Sequence, residues 1–231
     1  MDKTLVVAHK EIKEILRNRT TLLMGLAFAA FFSLMYSLNV VKAEDGTSLD
    51  GATFYLSLSI AIFMAYVSAG QIFLLEKRDG VIETLMCAPL NLRQIWIGKT
   101  LAGVVFSWLV SIFAVLLLII ITGIQKGTFL LPGAAAVVHV LITVPTFIAA
   151  FVGLVGFGQI LLGMRENRLL NFLLFVPAFG ALYGSGFAVA RGITVSWQHE
   201  AILFGGSLLL LGIAVYLSKF LNRERIVTTI A

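Results

Sequence analysis

The chain has 231 residues, of which 59% are hydrophobic and only 13% are charged, and its formal net charge is +5. Soluble domains carry about a quarter charged residues, so this composition excludes a large globular core in water. The charges are segregated along the chain, which leaves apolar stretches long enough to cross a bilayer core of roughly 30 Å as helices. The composition therefore predicts an all-α integral membrane protein with a single domain over residues 1–231.

The N-terminal segment, about residues 3–18, is predicted to form an amphipathic helix. One face carries the apolar side chains of Leu5, Ala8, Ile12, Ile15 and Leu16, and the other carries Lys3, Lys10, Lys13, Glu14 and Arg17. A helix of this kind lies along the membrane surface. The alternative is a solvated basic leader that only sets topology, but the narrow, regular apolar stripe favours the surface helix.

Six apolar runs follow, and each is predicted to be a membrane span. The fourth run is too long for one untilted crossing and too short for two crossings with a turn. We therefore expect one helix that is kinked near Pro145 or extends beyond the bilayer. The predicted spans cover residues 20–41, 52–75, 100–124, 133–164, 169–190 and 201–221.

The distribution of lysine and arginine predicts the orientation, because cytoplasmic loops carry an excess of these residues. With six spans, the outer side holds only Lys42, Lys126 and Arg191. The cytoplasmic side then holds Lys3, Lys10, Lys13, Arg17, Arg19, Lys77, Arg78, Arg93, Lys99, Arg165, Arg168, Lys219, Arg223 and Arg225. Both termini are therefore predicted to be cytoplasmic, in a multi-pass protein of the cell membrane.

The fifth run is interrupted by Pro177, Gly180, Gly184 and Gly186. Its outer half could kink or fold into a short re-entrant segment, which is tolerated where protein buries the backbone. The alternative is a continuous span in which Gly180 and Gly184 form a small-xxx-small pair for close helix packing. The sequence leaves both open.

The loop between the second and third spans is the only sizeable cytoplasmic loop, and a short helix is predicted over residues 79–88. Asp79 can cap this helix and Pro89 can end it. Asn91 and Gln94 then form a capping-box pattern that starts the next helix. The apolar face consists of Val81, Ile82, Leu85 and Met86. Such a helix contacts headgroups or another protein, and interfacial packing alone is the alternative.

The residues of this loop resemble a family signature. The stretch from Glu76 to Leu90, followed by Gly98-Lys99, is similar to the E-x-x-x-G-x-x-E-x-L-x-x-x-P-L…GK pattern of ABC-2 type transporter permeases. The resemblance implies that residues 79–88 form a coupling helix moved by ATPase subunits. The implied coupling residues are Glu76, Lys77, Arg78, Asp79, Gly80, Val81, Ile82, Glu83, Thr84, Leu85, Met86 and Pro89.

The same resemblance gives two other segments a role. It implies that the N-terminal helix is the family's elbow helix, with Lys3, Leu5, Ile12, Ile15, Leu16 and Arg17. It also implies an outer gate in the fifth run, at Pro177, Gly184, Ser185 and Gly186. Here Pro177 lies farther from Ser185-Gly186 than in the usual Pro-x-x-x-x-Ser-Gly element, so the form of the gate is left open.

The resemblance implies a permease subunit of an ATP-binding cassette transporter, with an exporter favoured, that works by alternating access. Its partners would be separate ATPase subunits, which hold ATP and Mg²⁺, and a second copy of itself or a paralogous permease. The chain itself is expected to be no enzyme and to bind no cofactor, metal or nucleic acid. The alternative is a polytopic membrane protein that is not driven by ATP, such as a channel, a lipid-modifying enzyme or an assembly factor. The substrate is not predicted.

Two weaker sequence signals are Gly98-Lys99-Thr100 and His139. Gly98-Lys99-Thr100 resembles the end of a phosphate-binding loop, but Arg93 stands where that motif needs glycine, so no ATP site is expected. His139 is the one ionisable group inside an apolar run, and we interpret it as a hydrogen-bonded structural residue in preference to a ligand-binding one.

Overall fold

The computed structural model describes residues 3–42, 47–80, 91–191 and 195–221, and all regular structure within these ranges is helical. The elements in chain order are α1 (Lys3–Arg17), α2 (Arg19–Lys42), α3 (Thr47–Ala69), a first π-turn (Gly70–Leu75), α4 (Glu76–Arg78), α5 (Leu92–Lys126), α6 (Ala134–Val138), a second π-turn (His139–Thr143), α7 (Val144–Leu161), α8 (Met164–Ala190), α9 (Trp197–Leu217) and a 3-10 turn (Ser218–Phe220).

Six of these helical segments are long and apolar enough to cross a membrane, which confirms the predicted all-α, six-span fold. They are Arg19–Lys42, Leu49–Arg78, Leu92–Lys126, Ala134–Leu161, Met164–Ala190 and Trp197–Phe220. We call them the first to sixth spans. Because neighbouring spans are joined by short connections, odd and even spans run in opposite directions. We call the end that carries α1 and Gly80 the α1 end, and the other the distal end.

The helix of the third span extends beyond the predicted apolar run at residues 100–124, and it begins where the capping pattern predicted. It begins at Leu92, directly after the capping pattern at Asn91, whose backbone N–H donates a hydrogen bond to Gln94 Oε1 at 3.2 Å. At 1.5 Å per residue its 35 residues extend about 52 Å, well beyond the apolar bilayer core. It ends at Gly127, which has a φ of 70° and closes the helix in the left-handed conformation that favours glycine. The added turns at the α1 end support α1.

The fourth span is one continuous helical segment, in line with the prediction of a single helix. Its irregular part is the second π-turn, which comes directly before Pro145 near the start of α7. Proline cannot donate to the carbonyl one turn earlier, and a π-turn is a common way of absorbing such a break. The turn also changes the direction in which His139 and Thr143 project.

The fifth span is the continuous helix α8, with Pro177 inside it. The re-entrant alternative is therefore wrong, because the backbone stays helical across the glycines that follow. Gly180 and Gly184 face open space, with no atom of the described residues within 4 Å of a Cβ built on either. The small-xxx-small face of this helix is thus not covered by the other described residues.

The second span lies at the centre of the bundle and is the most buried of the six. It packs against the third span through small hydroxyl side chains: Ser68 and Ser107 lie 3.3 Å apart, and Ser111 donates to the Ser57 carbonyl at 2.8 Å. Such residues let helix backbones approach closely where hydrocarbon provides no hydrophobic drive. The fifth and sixth spans are the least buried, since only 17% of the most apolar stretch of each is buried inside the protein.

Candidate functional site

The helix α1 lies directly against the start of the third span. A Cβ added at Gly98 would come within 2.8 Å of both the Thr4 carbonyl oxygen and Val7 Cβ, so only glycine allows this approach. Val7, Ala8 and Ile15 of α1 are buried at the contact. The glycine of the Gly98-Lys99 pair therefore has a defined role, which is to admit α1.

Lys99 lies at the buried side of an ion cluster, which consists of Lys10, Glu11, Glu14, Glu76 and Lys99. Its Nζ is 3.0 Å from Glu11 Oε1 and 2.5 Å from Glu76 Oε2, and the side chains of all three are at most 9% exposed. The same Nζ also donates to the Ile72 carbonyl at 3.0 Å, inside the first π-turn. One ammonium group thus connects α1, the end of the second span and the third span.

Lys10 forms the solvent-facing side of this ion cluster. Its Nζ lies 3.2 Å from Glu11 Oε1, 3.2 Å from Glu76 Oε1 and 3.4 Å from Glu14 Oε2. Burial opposes the charged form of Lys10, yet the carboxylates of Glu11 and Glu76 raise the pKa of its ammonium group well above the ordinary value. Burial in turn raises the pKa of the Glu11 carboxyl, although the charge of Lys99 acts in the opposite direction.

A pocket of about 190 Å³ opens beside the ion cluster, between α1 and the end of the second span. Glu11, Glu14 and Glu76 line it and offer oxygens within 4.8 Å of one another. Lys10 and Lys99 are already bonded to these carboxylates. The two ammonium groups thus balance two of the three carboxylates and hold the groups in place. We call this ion cluster the joint, because it connects α1 to the second and third spans.

A second polar contact joins the end of the second span to the fourth. Lys77 is 2% exposed, and its Nζ donates to the carbonyls of Ile160 at 2.9 Å and Leu162 at 2.5 Å. The Asn167 amide donates to the Leu162 carbonyl as well, at 2.9 Å. These donors satisfy carbonyls at the end of α7 that have no partner within the helix. Glu76 and Lys77, adjacent in sequence, thus tie the second span to the third and fourth.

The predicted coupling residues divide into two groups. Glu76 to Gly80 are described: Asp79 ends α4 and pairs with Arg78 at 3.1 Å on the surface, and Gly80 has a φ of 72°. The remainder of the predicted coupling helix, Val81, Ile82, Glu83, Thr84, Leu85, Met86 and Pro89, lies outside the described residues. Of the described coupling residues, Glu76 belongs to the ion cluster and Asp79 lines the pocket beside it.

The predicted elbow residues lie on α1, where the structure distinguishes two apolar surfaces. Ile15 is buried and Ile12 half-buried against the protein, whereas Leu5 and Leu16 are about half exposed. Lys3 and Arg17 are exposed near the two ends. Glu11, which is 3% exposed, was not among the predicted residues. The sequence does mark Glu11, because it lies midway between Val7 and Ile15 on one helical stripe. A buried acidic side chain at such a position needs a cation as its partner.

The predicted gate residues lie in the distal half of α8. Pro177 and Gly184 are exposed, and Ser185 and Gly186 are partly buried. The Tyr36 hydroxyl of the first span donates a hydrogen bond to Ser185 Oγ, which in turn donates to the Leu182 carbonyl at 2.9 Å. These residues therefore connect the fifth span to the first.

The distal end contains a buried polar cluster that the sequence did not predict. His139 Nδ1 lies 2.7 Å from Glu200 Oε2, and the Thr143 hydroxyl donates to the other oxygen of Glu200. His139 also stacks on Phe54, with ring centroids 3.9 Å apart. The hydrogen bond predicted for His139 is confirmed. The π-turn places His139 and Thr143 on the same carboxylate, which attaches the sixth span to the fourth.

Six apolar spans and a charged joint at one end define a multi-pass membrane protein without a soluble nucleotide-binding fold in its described part. The family model described as ABC-2 type transporter matches residues 2–164, which include α1, the joint and the first four spans. The chain therefore belongs to the ABC-2 type transporter family, as its loop motif indicated. No individual characterised protein matched the chain.

Proposed function

We propose that the chain is the transmembrane permease subunit of an ATP-driven transporter, and that separate ATP-binding cassette subunits act on the loop at residues 79–88. The observation that carries the proposal is the joint beside this loop. Glu76, immediately before the loop, and Lys99, shortly after it, form a buried ion pair at 2.5 Å. A force on the loop would therefore move the ends of the second and third spans together.

Transport would follow from this linkage by alternating access. Lys10 and Glu11 attach α1 to the same joint, and Lys77 attaches the fourth span. Closure of the ATPases on nucleotide would displace the loop and tilt these spans as a unit relative to a second permease. Export is the favoured direction on family resemblance. ATP and Mg²⁺ would be held by the partner, since Lys99 is enclosed by carboxylates and is not available to a phosphate.

The second permease, a copy of this chain or a paralogue, would find an uncovered surface on the fifth and sixth spans. These are the least buried spans, and Gly180 and Gly184 face open space on α8. Small residues favour close approach of helices in a bilayer. In the proposed assembly the partner permease therefore packs against α8.

The orientation in the cell membrane is part of the same proposal, with both termini and residues 76–99 in the cytoplasm. Single-cysteine labelling of intact cells, in a background with Cys87 replaced, tests it. Cysteines at positions 128 and 195 should react with an impermeant reagent, and a cysteine at position 84 should react only after permeabilisation. Rapid labelling of position 84 in intact cells would contradict the orientation.

The coupling role is tested with Glu83→Lys and with the double change Val81→Asp and Leu85→Asp. The matched control is Lys13→Glu, a charge reversal at an exposed position of α1. We expect the loop variants to insert and dimerise normally, because no span depends on residues 81–90 for its apolar length. They should lose transport and either release the ATPase or uncouple its hydrolysis, whereas Lys13→Glu should retain both activities. Wild-type transport by assembled loop variants would reject the coupling role.

A further inference from the structure

An aromatic groove lies between the first and fifth spans in the distal half of the bundle. Its volume is about 260 Å³, and it opens sideways from the chain. Phe31 and Phe187 are 55% and 68% exposed, so its walls are unfilled by the rest of the described chain. Its wall includes Phe31, Met35, Asn39, Tyr183, Gly186 and Phe187.

The two helices that form this groove run in the same direction. The rings of Phe32 and Tyr183 are 6.1 Å apart, and one turn further along Tyr36 bonds to Ser185. This hydroxyl pair is satisfied within the protein, so the groove presents mainly hydrocarbon and aromatic surface. From Phe31 to Asn39 it extends about 12 Å along α2, at 1.5 Å per residue. It therefore runs from near the membrane surface towards the middle of the bilayer.

Two cations flank the mouth of the groove. Lys42, the last residue of α2, lies three residues beyond Asn39 and so close to the same face of the helix. Arg191 directly follows Ala190, the last groove residue of α8. Both side chains are exposed. They are two of the three lysines and arginines predicted outside, where the positive-inside rule disfavours cations.

We propose that this groove binds an anionic lipid of the outer leaflet, with one acyl chain along the aromatic wall and the acidic headgroup at Lys42 and Arg191. An acyl chain gains little free energy by moving from the bilayer core into an apolar groove, so the groove alone would not select a lipid. The two cations supply the selection, because each basic residue near a membrane surface attracts acidic headgroups. The site does not depend on transport; only its assignment to the outer leaflet rests on the proposed orientation.

The test measures lipid binding to the purified full chain by native mass spectrometry. Phosphatidylglycerol and phosphatidylcholine with identical acyl chains are titrated separately. One variant, Gly186→Leu, fills the groove, since a Cβ there is 4.0 Å from the Tyr36 ring. Its control is Gly205→Leu, on an exposed face of α9 with open space around it. A second variant, Lys42→Gln with Arg191→Gln, removes the cations, and Lys126→Gln is its control.

We expect the wild-type chain to bind its first phosphatidylglycerol about tenfold more tightly than phosphatidylcholine. The double cation variant should lose this preference and leave phosphatidylcholine binding unchanged. Gly186→Leu should weaken both lipids relative to Gly205→Leu. If Gly186→Leu is poorly folded, Phe187→Ala, at a largely exposed wall residue, takes its place and should weaken both lipids several-fold.

Three results would overturn the proposal. Equal affinity of the wild-type chain for the two lipids would remove the headgroup selection, as would a cation variant that behaves like Lys126→Gln. Lipid binding unchanged in a folded groove variant would remove the groove from the site. Loss of self-association by Gly186→Leu with lipid binding intact would show that a second copy of the chain occupies the groove.

Discussion

Replacing Lys99 with methionine should release α1 from the bundle while leaving the six spans inserted. The substitution keeps the approximate length of the side chain but removes the buried cation between Glu11 and Glu76, which are 3% and 8% exposed. Breaking a buried ion pair by removing one partner costs about 3–5 kcal/mol. We expect a loss of about 3 kcal/mol, the lower end, because Lys10 remains within 3.2 Å of both carboxylates.

Hydrogen exchange of the α1 amides in detergent or nanodiscs measures this loss. A change of about 3 kcal/mol corresponds to exchange at least about a hundredfold faster, since each 1.4 kcal/mol is a factor of ten. The matched control, Lys13→Met at an exposed position of α1, should exchange like the wild type. Adding Glu11→Leu to Lys99→Met removes a stranded carboxylate and should restore part of the protection. If the α1 amides exchange at the wild-type rate in Lys99→Met, the joint does not hold α1 on the bundle.

Two further substitutions test contacts at opposite ends of the bundle. Gly98→Ala places a methyl group 2.8 Å from the Thr4 carbonyl oxygen and should destabilise the docking of α1 by about 1–3 kcal/mol. Faster hydrogen exchange of the α1 amides would show this loss. The control Gly212→Ala, whose added methyl group lies in open space, should leave the exchange unchanged. Glu200→Ala removes the buried hydrogen-bond partner of His139 and should lower the free energy of unfolding by about 1–3 kcal/mol. The thermal unfolding temperature should fall accordingly. An unchanged temperature would argue against a structural role for this pair.

The fold could be predicted because each span needs only a long apolar run, and apolar runs are local in sequence. The helix start after Asn91 was predictable for the same reason, since a capping pattern acts within four residues. An apolar count places the third run at residues 100–124, because Leu92 to Lys99 carries charges that such a count rejects. The packing of those residues under α1 is a contact between segments about 90 residues apart, which no local pattern records.

The joint illustrates the same limit. The family motif includes Glu76, Gly98 and Lys99, but the resemblance does not predict which residues they contact. Pairing Lys99 with Glu11 requires the position of α1 on the third span, which depends on the close approach at Gly98. The His139–Glu200 pair was likewise hidden, because a π-turn sets the direction in which His139 projects.

The second and fourth spans are held together by polar contacts at both of their ends. At the α1 end Lys77 bonds to the carbonyls of Ile160 and Leu162, and at the distal end Asp50 Oδ1 accepts the Gly133 backbone N–H at 2.6 Å. Groups paired at both ends of two packed helices resist sliding of one helix along the other, because sliding would expose buried donors and acceptors to hydrocarbon. A displacement that begins at the loop after Gly80 would therefore reach the distal end through these two spans as a unit.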